Sequence, residues 1–394
     1  MPNELRIRCR NNGKRISVPF GSNLYDAFAL ANFQMDYGPV AARVNNKVQG
    51  MNYRFYNNKD VEFLSLTSHS GMRTYTRTLF FILAKAVEDT YPDAQLIIGG
   101  SLCRGYYCQL RLGRPVEDED IRRIKQRMQE IIDADMPIHR IQCPIEEAIE
   151  MFEKRGMKSK VQLLESQDEL YTYYYKLGDT IDYFYSCLLT RTSQIHLFDL
   201  IKFYDGMLLR APSRKDPSQL EEIMEHNKKM FDVIREHQRW QEILGVQTVG
   251  ELNYAIQEGN ATDLINVSEA LQLKKLSNIA DEIAERGARI VLLAGPSSSG
   301  KTTTARRLAV LVMACGLRPH TISTDDYFVN RVDTPKDANG EYDFECIGAV
   351  DTTFFNKQMN ALLNGEEVEL PRYDFPTGER VFEGRKLKIG PEDV

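Results

Sequence analysis

Residues 288–311 read ARIVLLAGPSSSGKTTTARRLAVL, and the reading of this stretch decides the fold. Ile290, Val291, Leu292, Leu293 and Ala294 form an unbroken apolar run, the pattern of a central strand buried on both faces of a parallel sheet. The residues that follow, Ala305, Leu308, Ala309, Leu311 and Val312 interleaved with Arg306 and Arg307, have helical spacing. Between the two, residues 295–302 fit G-x-x-x-x-G-K-[ST]. Gly295 and Gly300 permit backbone geometry that a β-carbon hinders, so the amides of Pro296-flanked Ser297, Ser298, Ser299 and Thr303 can turn toward an anion at the positive end of the helix. Lys301 is placed to reach terminal phosphates and the Thr302 hydroxyl to hold Mg²⁺. The competing reading is a glycine turn between a core strand and a core helix; the strand–loop–helix context favours phosphate binding.

The chain has 394 residues, 42% of them hydrophobic, enough for two to four domains with real cores. No apolar run reaches membrane-spanning length, and the first residues, MPNELRIRCRNNGKR, carry no apolar leader core, so a cytoplasmic protein without a membrane role is expected. Seven cysteines without a C-x-x-C pair suggest reduced thiols rather than a disulfide framework or a zinc site. A net charge of −6 gives no general reason to expect nucleic-acid binding. Arg6, Arg8 and Arg10 alternate with Leu5, Ile7 and Cys9, which reads as a solvated strand face.

Residues 5–9 and 14–18 alternate around NNG as a hairpin, a short helix follows from about Asn23, and AARVNNKV and DVEFLSL read as strands. This order predicts a β-grasp domain over 1–67. Through VAARVNNKVQG and KDVEFLSL it resembles the TGS domain of threonyl-tRNA synthetases. SHSGMRTYTRTLFFILAKAVEDTYPDAQLIIGG and YKLGDTIDYF extend the resemblance to the second additional, editing domain of those enzymes, giving an α+β domain over 68–212. The resemblance implies a pocket of two His on one helix with a later Cys and His. Here His69 holds the first position, while Arg73, Phe184 and Leu188 stand in the others. One His, an Arg, a Phe and a Leu cannot hold a metal or activate water, so an editing-like fold without editing chemistry is expected, with His69 a capping or surface residue. Residues 213–285, including SQLEEIMEHNKKMFDVIREHQRW and LINVSEALQLKKLSNIADEIAER, have apolar positions at three- and four-residue spacing and read as a helical connector. YTYYYK at 171–176 is aromatic enough for base stacking but is explained more simply as a strand.

After the glycine loop, PHTISTDDYF predicts a second strand presenting Asp325 and Asp326 beside the phosphate site. GEYDFE, a helical run from Thr352 to Asn364 and VELPRYDFPTGER come next. These segments resemble the uridine kinase and phosphoribulokinase group, and uridine-cytidine kinases most closely: S-x-D-x-F/Y-Y falls on residues 323–328 and P-x-Y-D-F on 371–375. The resemblance implies ATP and Mg²⁺ as cofactors, and a ribonucleoside 5′-hydroxyl as acceptor. It makes Asp325 catalytic base and metal ligand beside Lys301 and Thr302. Asp343 falls on the ribose hydroxyls, Tyr373 faces the base, Tyr342 and Tyr327 line the same cleft, and Arg380 joins the substrate contacts. Gly378 replaces a family His that reads the pyrimidine edge. The reading for 286–394 is therefore the first part of a P-loop NTPase-type parallel α/β sheet. No later acidic strand or arginine lid follows IGPEDV, so a fragment of a longer protein is expected, inactive alone. The function expected is a nucleoside kinase. The alternatives are a nucleotide-sensing module that binds RNA or tRNA without turnover, and a kinase for another small hydroxyl acceptor; a homo-oligomer is compatible with either.

Overall fold

The computed structural model describes residues 4–223 and 228–394. They fall into two compact units, Met1–Gly259 and Asn260–Val394.

The first unit begins with a five-stranded sheet. Its strand order is Arg15–Pro19, Glu4–Cys9, Lys59–Leu64, Ala41–Val44, Lys47–Gln49. The first two strands pair antiparallel and Glu4–Cys9 runs parallel to Lys59–Leu64. Alternation decides the faces: Leu5, Ile7 and Cys9 are buried while Arg6, Arg8 and Arg10 are exposed. The helix Leu24–Ala31 covers the buried face, started by a reciprocal capping box between Asn23 and Asp26.

The long helix His69–Thr90 follows, its first turn capped by the Ser68 hydroxyl, which accepts from the Gly71 N–H at 3.1 Å. It packs with the helix Asp118–Asp133 and with residues of two further sheets. One sheet orders Thr180–Asp182, Tyr171–Leu177 and Ile138–Pro144; the other orders Asp199–Phe203, Gly206–Arg210, Gly105–Arg111 and Gln95–Leu102. YTYYYK is thus a strand, with Tyr175 in the core. Tyr75 anchors the long helix by donating to the Leu197 carbonyl at 2.8 Å, and burial pushes its phenol up to about 12.

The helices Lys228–Leu244 and Val249–Gln257 also belong to this unit. Phe231 stacks on Tyr204 at 3.9 Å, and Gly250 comes so close to Ser159 that a β-carbon there would lie 2.8 Å from its carbonyl oxygen. The helix Ala261–Glu285, by contrast, lies in the second unit, where Ala280 and Ile283 pack on Leu308 and Val312 of the helix Lys301–Ala314. The connector expected over 213–285 is therefore divided, because its last helix finds its apolar partner on the phosphate-loop helix.

The second unit departs from the expected parallel sheet. Residues 288–296 form no strand, and Ile290, Val291, Leu292 and Leu293 are exposed, Leu292 by 79%. The segment after Pro319 likewise runs without a strand into a single 3₁₀ turn, Thr324–Tyr327. Among the described residues of this unit the sheet structure is one antiparallel hairpin, Val368–Asp374 with Glu379–Leu387. An apolar run becomes a strand only when a neighbour accepts its hydrogen bonds. Here the neighbour predicted from PHTISTDDYF is itself not extended into a ladder. The helix Thr352–Leu363 forms where expected, capped by Asp351.

Candidate functional site

The glycine loop leads directly into the helix Lys301–Ala314. Gly300 is its N-cap, at φ +83°, and no side chain caps the helix. The first-turn N–H groups are thus left without a side-chain acceptor at the positive end of a 14-residue helix. Gly295 is tight for a different reason: a β-carbon there would lie 2.8 Å from the Ser299 hydroxyl oxygen. Ser298 adopts φ +59°, the left-handed conformation rare for a residue with a side chain. Lys301 Nζ donates to the carbonyls of Gly295 at 2.9 Å and Pro296 at 3.0 Å, folding the ammonium across the mouth of the loop. Residues 295–303 are exposed throughout.

Exposed amides, a lysine and hydroxyls form a donor set suited to a polyphosphate. The Thr302 hydroxyl is exposed at the helix start and the Asp325 carboxylate on the separate 3₁₀ turn, the two groups that the sequence suggests for a divalent ion. Among the described residues no three His, Cys, Asp or Glu side chains cluster as a metal cage. Such a sparse set fits Mg²⁺, which is commonly held by one or two protein groups together with substrate phosphates.

A cleft of about 480 Å³ lies against the C-terminal hairpin, lined by Asp326, Arg372, Tyr373, Asp374, Glu383 and Arg385 among others. Tyr373 is 3% exposed, its ring held edge-on by Phe328 at 5.4 Å and Phe375 at 5.1 Å. Its N–H donates to Asp326 Oδ1 at 3.3 Å, while its hydroxyl is buried and has no hydrogen-bond partner.

The other residues named from the sequence lie elsewhere. Lys301, Thr302 and Asp325 do not line this cleft. Asp325 is exposed on the 3₁₀ turn, its N–H donating to the Ser323 hydroxyl at 3.3 Å. Tyr327 is fully buried and donates to Gln358 Oε1 at 2.8 Å, so it is a core residue rather than a cleft wall; burial pushes its phenol up to about 12. Asp343 accepts from the Glu345 N–H at 3.0 Å in a local turn, and Tyr342 carries Lys336 over its ring at 5.1 Å. Arg380 pairs with Asp351 at 3.0 Å and sits 4.8 Å over the Phe354 ring, bracing the start of the helix Thr352–Leu363. The sequence placed Asp326 with Asp325 beside the phosphate site and did not single out Arg372 or Arg385. Their alternation with Pro371 and Tyr373 on a strand was the available signal for Arg372.

In the first unit His69 is the exposed first residue of its helix, and Ser68 is the cap. Arg73 is exposed, Leu188 is buried, and Phe184 packs edge-on against Phe81 and Tyr175.

Comparison with known proteins divides along the chain. Residues 290–393 match the family model for the Phosphoribulokinase / Uridine kinase family. Curated relatives match a different part. The threonine–tRNA ligase of Acetivibrio thermocellus is 32% identical over 163 residues, 41% of this chain and 26% of that protein. That of Clostridium kluyveri is 30% identical over 173 residues, 43% of this chain and 27% of its own length. That of Marinobacter nauticus is 26% identical over 198 residues, 48% of this chain and 31% of its length. The chain spans about a quarter to a third of these relatives. Residues 290–393 thus carry a Phosphoribulokinase / Uridine kinase family segment, behind an N-terminal region similar to threonine–tRNA ligases.

Proposed function

We propose that this chain belongs to an ATP- and Mg²⁺-dependent cytoplasmic kinase that transfers a phosphoryl group to the 5′-hydroxyl of a ribonucleoside. The observation that carries the reading is the uncapped start of the helix Lys301–Ala314 behind a glycine loop, with the Lys301 ammonium across its mouth. Loop amides and Lys301 bind and orient the phosphates, and Thr302 supplies a hydroxyl for the metal. Bound Mg-ATP supplies the transferable phosphoryl group and the metal charge that stabilises it. Asp325, exposed on its turn, accepts the proton from the acceptor hydroxyl. Positioning and charge stabilisation account for most of such a reaction, so few protein groups are needed.

The acceptor is assigned to the cleft at Tyr373. Tyr373 walls this cleft together with Asp326, Arg372 and Arg385, which offer polar groups of both signs to a hydroxylated acceptor. Asp343 and Tyr342 are assigned to the acceptor by their place in the motif that the chain resembles; Tyr327 and Arg380 support the site from the core and from the Asp351 pair. The test is turnover by the full-length protein with Lys301→Ala or Asp325→Asn: both substitutions should abolish product, and unchanged turnover in both would sink the assignment.

For the first unit we infer a β-grasp domain followed by an editing-like domain without hydrolytic chemistry. The identity of Arg73, Phe184 and Leu188, two of them packed in the core, supports this reading. Deacylation of aminoacyl-tRNA that disappears in His69→Ala would contradict it.

A further inference from the structure

The 3₁₀ turn Thr324–Tyr327 carries Asp325, and the segment that follows it is stitched to the C-terminal hairpin. Near the turn, the Tyr373 N–H donates to Asp326 Oδ1 at 3.3 Å and Phe328 packs edge-on against the Tyr373 ring. Farther along, the Arg380 N–H donates to Asn330 Oδ1 at 3.1 Å, and the Arg331 N–H donates to the Gly378 carbonyl at 2.8 Å. The Arg331 guanidinium reaches in the other direction, Nη2 donating to the Phe375 carbonyl. Phe375 and Gly378 are the first and last residues of the loop between the strands Val368–Asp374 and Glu379–Leu387. Arg331 therefore holds both ends of that loop, and Phe375 is part of the cleft wall.

Gly378 makes this grip possible. Its φ is +76°, and a β-carbon there would lie 2.8 Å from Arg331 Cβ, 2.9 Å from Nε and 3.0 Å from Cζ. A guanidinium can swing aside, but Cβ is fixed by the backbone, so a side chain at 378 displaces the segment that bears Arg331. Gly384, on the second strand of the hairpin, has a similar φ of +78° with no atom within 4 Å of the same added carbon. Substitution at Gly384 thus brings the backbone strain without the collision.

We propose that Arg331 is a positioning residue for the acceptor: by holding both ends of the loop 375–378 it fixes the cleft wall at Tyr373 and Phe375 relative to the segment that carries Asp325. The proposal rests on the kinase reading above. Phosphoryl transfer needs the acceptor hydroxyl placed beside its base, and a misplacement of about 1 Å can lower the rate ~10²-fold. An arginine suits the task because its hydrogen bonds are charge-assisted and its planar fork is rigid.

The test is steady-state ADP release by the full-length protein with Mg-ATP and the nucleoside it turns over fastest, in Arg331→Ala, Arg331→Lys, Gly378→Ala and Gly384→Ala. Arg331→Ala and Gly378→Ala should lower kcat/KM for the nucleoside by up to ~10²-fold while KM for ATP is unchanged. Arg331→Lys keeps a donor for the Phe375 carbonyl and should recover part of the loss. In an Arg331→Gly background no side chain remains to collide, so adding Gly378→Ala should lower kcat/KM no more than Gly384→Ala does. Unchanged kcat/KM in Arg331→Ala, or equal losses in Gly378→Ala and Gly384→Ala, would overturn the proposal. So would a loss in Arg331→Ala that raises both KM values alike and tracks a fall in thermal stability, the mark of structural support alone. Absence of acceptor-dependent turnover in the unsubstituted protein would instead sink the kinase reading, and the positioning role with it.

Discussion

Lys301 Nζ lies 2.9 Å from the carbonyl oxygen of Gly295, so the first residue of the helix reaches back over the loop that leads into it. The same reach would carry the ammonium to a phosphate lying in that loop, exchanging carbonyl oxygens for more strongly charged ones. Lys301→Ala should therefore reduce phosphoryl transfer by ~10²-fold or more, with a smaller loss in Lys301→Arg. Steady-state kinetics of the two variants checks this, and equal losses would show that charge alone is not what the position supplies.

Gly300 is required by its backbone conformation. At φ +83° a β-carbon is strained, yet it would meet no atom within 4 Å, so Gly300→Ala tests conformation without a clash. A loss of about 1 kcal/mol in the first turn of the helix is expected, with Gly300→Asn milder. Hydrogen exchange over residues 301–305 reads the effect.

Tyr373→Phe removes a hydroxyl that has no partner in the folded chain. Stability should hold or rise by up to about 1 kcal/mol, because an unsatisfied buried group disappears. A drop in thermal stability would mean the hydroxyl is satisfied within the protein.

Asp120 gives the first unit a predictable acid response. The Arg114 guanidinium, bonded to both carboxylate oxygens at 2.7 and 2.8 Å, holds its carboxyl well below the usual range, helped by the Glu117 N–H and the Tyr91 hydroxyl. A depressed folded value contributes stability that is present above the unfolded value, ~4, and is lost as pH falls toward the folded one. Asp120→Asn should destabilise by about 2 kcal/mol at pH 7 and by progressively less below pH 4. The single tryptophan, Trp240, lies in this unit and reports its unfolding by fluorescence.

What the sequence disclosed follows from which signals are local. The helix at 301–314 was legible in its spacing, and so was the alternation of Arg6, Arg8 and Arg10 against Leu5, Ile7 and Cys9. Ile290 to Leu293 was not, because periodicity specifies a preference for burial but does not supply the neighbouring strand that realises it. Tyr327 and Tyr373 illustrate the same limit within the site. Both are buried aromatics near aspartates in sequence; only tertiary packing gives one a partner, Gln358, and leaves the other's hydroxyl without one.

The central claim is tested most directly by ADP release from the full-length protein with Mg-ATP, offered uridine, cytidine, adenosine, guanosine, inosine, ribulose 5-phosphate or no acceptor. The account predicts release that depends on one or more of the nucleosides and is lost in Lys301→Ala and Asp325→Asn. Release without any acceptor, or none with every acceptor offered, would contradict it.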